Sequence, residues 1–142
     1  MAGSGIMRIG TIGTGQIVRE VLTGITAAEN VSCGAVYSRR QETGAALGKA
    51  FGVEKVYTEL EPFLSDPELD VIYIASPNSL HAEQARLALE HGKHVLLEKP
   101  FTPTLRQARE LFDLAEARGL FLLEAITTQS LPNYRALKKL LP

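Results

Sequence analysis

The chain has 142 residues, a length that fits one domain with a sizeable core. Its formal net charge is −1, 45% of its residues are hydrophobic and it has no apolar run long enough to span a bilayer, so composition favours neither a nucleic acid nor a membrane as partner. The single cysteine, Cys33, excludes an internal disulfide, and the N-terminus lacks a signal-peptide pattern, so we expect a cytoplasmic protein. Residues 1–6 read as a leader or tag, with Met7 as the expected native start.

Strand-like and helix-like segments alternate along the chain. Short apolar runs rich in β-branched residues predict strands, and longer segments with apolar residues three or four apart predict helices. The predicted strands cover residues 7–12, 31–37, 55–57, 70–75, 94–97 and 120–125. The predicted helices cover 16–28, 41–51, 79–91, 104–118 and the terminal 131–142, with a helical turn at 60–66 and a polar run at 127–130.

Helix boundaries and buried faces follow from local signals. Gly52 and Gly119 are typical helix stops, Ser79 is an expected N-cap, and Thr104 with Gln107 forms a capping box. The terminal helix is amphipathic with basic residues on one side, a pattern more typical of packing on the protein than on a membrane surface. The stripes expected to face the sheet are Ile17, Val21 and Ile25; Ala82, Ala85 and Leu89; and Ala108, Leu111, Phe112 and Ala115.

This alternation predicts a doubly wound α/β domain, residues 7–130, in which right-handed crossovers build a mostly parallel sheet covered by helices on both faces. Ligands bind such sheets outside the carboxyl ends of the strands, near the point where strand order reverses. The loops expected at that edge are residues 13–16, 38–40, 76–81 and 98–100.

The first strand-to-helix turn carries a glycine motif. Gly13 and Gly15 allow a tight turn and a close approach of a pyrophosphate, and the helix beginning at Gln16 directs its N-terminal N–H groups and positive dipole end at the anion. Val18 stands where the usual dinucleotide fingerprint has glycine or alanine. The motif predicts a dinucleotide site, and an ordinary strand-to-helix turn is the alternative.

The end of the second predicted strand bears on the choice of cofactor. NAD enzymes usually place a carboxylate there for the ribose hydroxyls, whereas this chain has Ser38, Arg39 and Arg40. A hydroxyl and two guanidinium groups suit a 2′-phosphate, so the sequence predicts NADP, with NAD as the alternative. Either arginine could instead be solvated or stack on adenine.

Three motifs, in this order and spacing, resemble those of the glucose-fructose oxidoreductase / inositol dehydrogenase (Gfo/Idh/MocA) family. They are Ile-Gly-Thr-Ile-Gly-Thr-Gly at 9–15, Ala-Ser-Pro-Asn-Ser-Leu-His at 75–81 and Glu-Lys-Pro at 98–100. The resemblance implies a Rossmann domain of an NAD(P)-dependent sugar or alcohol oxidoreductase. Family members continue into an α+β substrate domain, through which they often form homo-oligomers; we expect this chain to lack it, with residues 131–142 leading towards it.

The resemblance also implies roles for single residues. Lys99 is the expected catalytic group, which moves the hydroxyl proton, and Pro100 is expected to follow a cis peptide bond. A solvated lysine is the alternative for Lys99, a structural role in its helix for His81, and an orienting or surface carboxylate for Glu98. The expected cofactor-binding residues are Gly13, Thr14, Gly15, Gln16, Ile17, Ser38, Arg39, Arg40, Ser76, Pro77, Asn78, His81, Glu98 and Lys99.

Other residues carry weaker signals. Cys33 lies in a strand pattern, which favours a buried, inert thiol, and His91 and His94 are expected to be solvated loop residues rather than metal ligands. No metal site is predicted. Thr127 and Gln129 stand where many relatives have tryptophan and arginine, which leaves the substrate open.

Two functions therefore follow from the sequence. The first is hydride transfer between a nicotinamide cofactor and a sugar, polyol or related alcohol or carbonyl compound. The second is a non-catalytic dinucleotide-binding or redox-sensing module. In either case we expect the isolated chain to bind a dinucleotide without turnover.

Overall fold

The computed structural model describes residues 5–127 and 131–139, and its elements follow the predicted alternation. The strands are β1 (Met7–Ile12), β2 (Val31–Tyr37), β3 (Val56–Tyr57), β4 (Val71–Ile74), β5 (His94–Leu97) and β6 (Leu122–Glu124). The helices are α1 (Gln16–Thr26), α2 (Gln41–Phe51), α3 (Leu60–Leu64), α4 (His81–Glu90), α5 (Leu105–Arg118) and α6 (Pro132–Lys138), with a 3₁₀ turn at Asn78–Leu80.

The six strands form one sheet in the order β3-β2-β1-β4-β5-β6, and every neighbouring pair is parallel. Helices cover both faces: one core cluster includes Phe63, Ile72 and Leu89, and the other includes Leu22 and Leu47. From β1 the chain builds β2 and β3 on one side and then returns to place β4 on the other side of β1, so the switch point lies between β1 and β4. The predicted doubly wound α/β fold is confirmed.

The predicted buried stripe of α1 is correct at Ile25 and wrong by one residue at Ile17 and Val21. Val18 and Leu22 are fully buried and Ile25 is 7% exposed, whereas Ile17 is 38% exposed and Val21 is half-buried. Rotation of a helix about its axis depends on how the chain enters it, and the turn through Gly13 and Gly15 directs Val18 at the sheet. The apolar spacing alone could not fix that rotation.

The stripes of α4 and α5 are partly correct. Ala85 and Leu89 are buried and Ala82 is half-buried, but His81 and Gln84 are also buried on α4. On α5, Leu111 and Ala115 are buried and Ala108 is half-buried, as predicted. Phe112 is exposed instead and stacks on Phe101, which is partly buried against the core.

The helix ends match most of the local signals. Gly52 and Gly119 end α2 and α5 in the left-handed region, and Thr104 Oγ1 accepts a hydrogen bond from Gln107 N at 3.3 Å. The prediction for Ser79 is wrong, since it lies inside the 3₁₀ turn and caps no helix. Pro77 causes the difference: its carbonyl accepts from Leu80 N at 2.9 Å, which winds a 3₁₀ turn before α4.

The prediction of solvated loop histidines is also wrong. His94 lies in β5, where its Nδ1 accepts a hydrogen bond from Phe121 N at 3.0 Å. His91 ends α4 and is bonded to Leu87 O and, through Nε2 at 2.9 Å, to Glu61. The nearness of Gly92 led to the prediction of a solvated loop. The partners Glu61 and Phe121 are about 30 positions away in the sequence, so no local pattern indicated them.

The C-terminal part is described only in part. α6 is shorter than the predicted helix at 131–142, and its described side chains are exposed. Gln129, most of the polar run at 127–130 and the end of the chain lie outside the described residues. Within the described part of the chain, no helix is both long and apolar enough to cross a bilayer.

Candidate dinucleotide site

A groove of about 540 Å³ opens at the carboxyl ends of β1, β2 and β4, beside the switch point. It contains residues from three of the four predicted loops. Its lining consists of Ile12, Gly13, Thr14, Gly15, Tyr37, Ser38, Arg39, Arg40, Thr43, Ala75, Ser76, Pro77, Leu80 and Gln84.

The two glycines of the turn have different physical reasons to be glycine. Gly13 has φ +115°, and a Cβ there would lie 2.7 Å from the carbonyl oxygen of Ala75. Gly15 has φ −74°, is the N-cap of α1, and a Cβ there would meet no protein atom within 4 Å. The fold therefore requires glycine at position 13. At Gly15 the lack of a side chain leaves open space at the start of α1, where the first N–H groups have no acceptor within the helix.

At the end of β2, hydroxyl groups fix the loop that carries the two arginines. Ser38 Oγ lies 2.7 Å from Thr43 Oγ1, and Thr43 Oγ1 also donates to Arg40 O at 3.0 Å. Arg39 and Arg40 are exposed, and neither guanidinium forms an ion pair with a carboxylate among the described residues. The groove therefore has two free cationic groups at this end.

The loop after β4 forms the opposite wall. Ser76 Oγ donates to Gln84 Oε1 at 2.6 Å, and Pro77 and Leu80 complete the wall. Asn78 belongs to the 3₁₀ turn and is exposed, but it does not line the groove.

The loop after β5 contains Lys99 and its neighbours. Lys99 is exposed, and the bond between Lys99 and Pro100 is cis, as expected. Glu98 is 6% exposed; its Oε1 accepts a hydrogen bond from Tyr73 at 2.7 Å, and its Oε2 accepts from Lys99 N at 3.2 Å. Of the alternatives left open, Glu98 is thus a buried, bonded carboxylate rather than a surface one.

The structure does not place every predicted site residue on the groove. Eight of them line it, whereas Gln16 and Ile17 lie just beyond in the first turn of α1. His81 is buried at the start of α4 behind the Ser76 loop, with its Nε2 2.9 Å from Ser76 O and its Nδ1 2.9 Å from Pro100 O. His81, Glu98 and Lys99 therefore form a second group behind and beside the groove.

Six lining residues were not among the predicted site residues, namely Ile12, Tyr37, Thr43, Ala75, Leu80 and Gln84. Tyr37 and Thr43 flank residues 38–40 in the sequence, and this closeness could have indicated that they belong to the site. The position of Gln84 depends on the rotation of α4, which the sequence did not reveal.

The parallel sheet, the switch point and the glycine turn together define a Rossmann domain, the fold class of dinucleotide-binding enzymes. Residues 7–125 match the family model GFO_IDH_MocA, described as an oxidoreductase family with an NAD-binding Rossmann fold, and the chain belongs to this family. The resemblance seen in the sequence motifs is confirmed.

Similar proteins include several sugar and polyol oxidoreductases. The scyllo-inositol 2-dehydrogenase (NADP(+)) of Bacillus subtilis is 38% identical over 134 residues, which are 94% of this chain and 41% of that protein. The 1,5-anhydro-D-fructose reductase of Ensifer adhaerens is 38% identical over 115 residues, 81% of this chain and 34% of that protein.

Among solved structures, KijD10, a 3-ketoreductase from Actinomadura kijaniata in complex with NADP, has a TM-score of 0.90 and 34% identity, covering 95% of this chain and 43% of that one. The chain therefore spans about two fifths of the length of the inositol dehydrogenase and of the ketoreductase.

Proposed function

We propose that this chain binds NADP in the groove, in preference to NAD, and that the whole protein transfers hydride between NADP and a sugar, polyol or related alcohol. The observation that carries the proposal is the end of β2, where two guanidinium groups without described ion-pair partners line the same groove as the glycine turn. The NADP-dependent relatives support the same choice.

The groove suits an extended dinucleotide. The open space at Gly15 accommodates a pyrophosphate beside the N–H groups and the positive end of α1, where Thr14, Gln16 and Ile17 complete the turn. Ser38, Arg39 and Arg40 would hold the 2′-phosphate through charge-assisted hydrogen bonds. Ser76 and Pro77 continue the wall towards the loop after β5, where the reactive end of the cofactor belongs, and Asn78 follows them just outside the groove.

Lys99 is the group proposed to move the substrate proton. Its amine is exposed at the carboxyl end of β5, the strand next to β4, so it lies on the same edge of the sheet as the groove. A bound nicotinamide supplies the hydride chemistry, and Lys99 would exchange the proton of the substrate hydroxyl. In a whole protein with activity, Lys99→Ala should lower kcat by about 10²–10⁴-fold and leave NADP affinity nearly unchanged.

The second candidate is a dinucleotide-binding or redox-sensing module without catalysis. The groove has room and charge for a dinucleotide, and a rate depends on a substrate held against it. We expect the 142-residue chain alone to bind NADP without oxidising polyols or sugars. Robust turnover by the pure chain would contradict this expectation.

Calorimetric titration of the chain with NADP and NAD tests the proposed function. If the 2′-phosphate makes even one charge-assisted hydrogen bond, worth about 1.5–3 kcal/mol, NADP should bind at least about tenfold more tightly at low salt. Arg39→Ala should remove most of that difference. Arg106→Ala is the matched control, because Arg106 is an exposed arginine on α5 whose single ion pair among the described residues is with Glu110, one turn away. Equal affinities, or a preference for NAD, would refute the phosphate-binding role.

A further inference from the structure

Lys99 lies between two residues that are bonded to buried side chains. On one side, the carboxylate of Glu98 accepts a hydrogen bond from Tyr73 at 2.7 Å. On the other side, the carbonyl oxygen of Pro100 lies 2.9 Å from Nδ1 of His81. The side chain of Lys99 forms no hydrogen bond or ion pair with any described residue, so its backbone is held while its amine is free.

Tyr73 holds this segment from the sheet. It is fully buried in β4, and β4 pairs with β5, the strand that leads to Glu98. Burial and the hydrogen bond with Glu98 raise the pKa of Tyr73, so its hydroxyl stays protonated and donates. Because Oε2 of Glu98 also accepts from Lys99 N, the carboxylate links the buried hydroxyl to the backbone of the lysine.

His81 holds the segment from α4 and joins it to the groove. Its side chain is 1% exposed, and its Nε2 lies 2.9 Å from the carbonyl oxygen of Ser76, a lining residue of the groove. One imidazole therefore contacts both the groove wall and the residue that follows Lys99. Tyr73, Ser76 and His81 belong to one continuous stretch of chain, so the groove wall and the lysine share their support.

We propose that Tyr73 and His81 are positioning residues that fix Lys99 relative to the dinucleotide groove. This inference rests on the proposed function, in which the Lys99 amine lies against bound NADP. Neither side chain lines the groove, so each acts through Glu98 or Pro100. Without them, residues 98–100 would no longer be tied to β4 and α4 by side-chain bonds, and the amine would sample positions away from the cofactor.

The test measures how well NADP shields Lys99 from trace acetylation by acetic anhydride, quantified by peptide mass spectrometry. Exposed Lys49 on α2 is the internal reference. At an NADP concentration ten times each protein's own Kd, a fully shielded amine reacts about 11-fold more slowly, the factor being 1 + [NADP]/Kd. We expect shielding close to this value in the wild type and below about threefold in Tyr73→Phe.

Two substitutions at His81 separate positioning from simple packing. Asparagine can place its amide nitrogen near the position of Nδ1 and so keep the bond to Pro100 O, whereas glutamine reaches the position of Nε2 and keeps only the bond to Ser76 O. We expect His81→Asn to retain most of the shielding of Lys99 and His81→Gln to lose it. Equal loss in both variants would contradict a role through Pro100.

Matched controls come from the rest of the chain. Tyr57 donates to the carboxylate of Asp66 at 3.0 Å beside β3, so Tyr57→Phe removes the same kind of bond away from Lys99. His91→Asn is the equivalent histidine control at the end of α4. Both controls should keep wild-type shielding. If Tyr73→Phe does not fold, Tyr73→Phe/Glu98→Leu removes the buried carboxylate as well and should fold while losing the shielding.

The outcomes distinguish the two proposals. If calorimetry shows no NADP binding by the wild type, the proposed function fails. If NADP binds without shielding Lys99, the assigned place of the lysine fails and the positioning role falls with it. If the wild type and all the Tyr73 and His81 variants shield Lys99 equally, positioning is refuted while the proposed function stands.

Discussion

The hydroxyl oxygen of Ser38 lies 2.7 Å from that of Thr43 and closes the loop after β2 onto the first turn of α2. Arg40 N also donates to Ser38 Oγ, at 3.4 Å. The two arginines are therefore carried on a loop held at both ends by polar contacts. Thr43 itself lines the groove, so it contributes both to the shape of the loop and to the surface that a 2′-phosphate would meet.

Thr43→Val tests this relationship, because valine keeps the shape and removes the hydroxyl. We expect NADP affinity to fall by about 2- to 10-fold, equivalent to one hydrogen bond of about 0.5–1.5 kcal/mol, with a smaller change for NAD. Thr23→Val is the control: its hydroxyl donates to Arg19 O within α1, in an exposed position. Calorimetric titration of both variants with both dinucleotides measures the effect, and equal losses for NADP and NAD would argue against phosphate recognition.

The strands were the most predictable part of the fold. Val31–Tyr37 and His94–Leu97 are short apolar runs in a sheet buried on both faces, so composition alone marks them, and their bounds match the prediction. Gly52 likewise marked the end of α2, because a left-handed residue there favours glycine. These signals are local, and the structure agrees with them.

What the sequence missed depends on rotation and on distant partners. Apolar spacing on α1 fits two neighbouring stripes and does not show which of them is buried, and the rotation of α4 likewise concealed Gln84. In the sequence, Tyr73 looks like any large residue of a buried strand, and nothing next to it indicates a hydrogen-bond partner. Its bond to Glu98 spans 25 positions and exists only because β4 and β5 are neighbours.

The two glycines of the turn allow folding to be separated from binding. Gly13→Ala should lower the free energy of unfolding by about 1–3 kcal/mol, because alanine at φ +115° is strained and its methyl would meet Ala75 O. Gly15→Ala has a relaxed backbone and open space, so stability should change by less than about 1 kcal/mol.

Binding should respond in a different pattern. A methyl group at Gly15 occupies the space proposed for the pyrophosphate, so we expect NADP affinity to fall at least about tenfold, or about 1.4 kcal/mol. Urea unfolding and calorimetry on the same samples give both quantities. Tight NADP binding by Gly15→Ala would show that the phosphates do not approach this turn.

Cys33 should be an unreactive thiol while the chain is folded. It is half-buried, and burial raises its pKa to about 11, although Ala35 O and Thr11 are nearby as hydrogen-bond partners. At pH 8 about one thiol in 10³ is then ionised, against roughly a quarter at an unperturbed pKa of about 8.5. Alkylation by iodoacetamide should be at least about 100-fold slower in the folded chain than in urea. Similar rates in both states would contradict the inert role.

The acid stability of the chain should depend on Asp66. Its side chain is 3% exposed and accepts hydrogen bonds from Glu68 N at 2.9 Å, Lys55 Nζ at 2.9 Å and Tyr57 OH at 3.0 Å. Burial alone would raise the pKa of Asp66, but these donors and the charge of Lys55 outweigh it, so the pKa lies below its ordinary value. Lys55 also pairs with Glu68, which keeps the ammonium in place.

The pKa of Asp66 is lower in the folded chain than in the unfolded chain, so its carboxylate stabilises the fold. This contribution is present above the pKa of the unfolded chain, about 3.9 for aspartate, and is lost as the pH falls through the pKa of the folded chain. Asp66→Asn should therefore lower the free energy of unfolding at pH 7 by about 1.5–3 kcal/mol, the range for hydrogen bonds to a charged group. Below pH ~4 the wild type loses the same contribution, so the difference between the two proteins should shrink. Urea titrations from pH 7 to pH 3 measure this convergence, with Asp113→Asn on the exposed side of α5 as the control. A difference that stayed constant over this range would mean that the charge of Asp66 does not stabilise the fold.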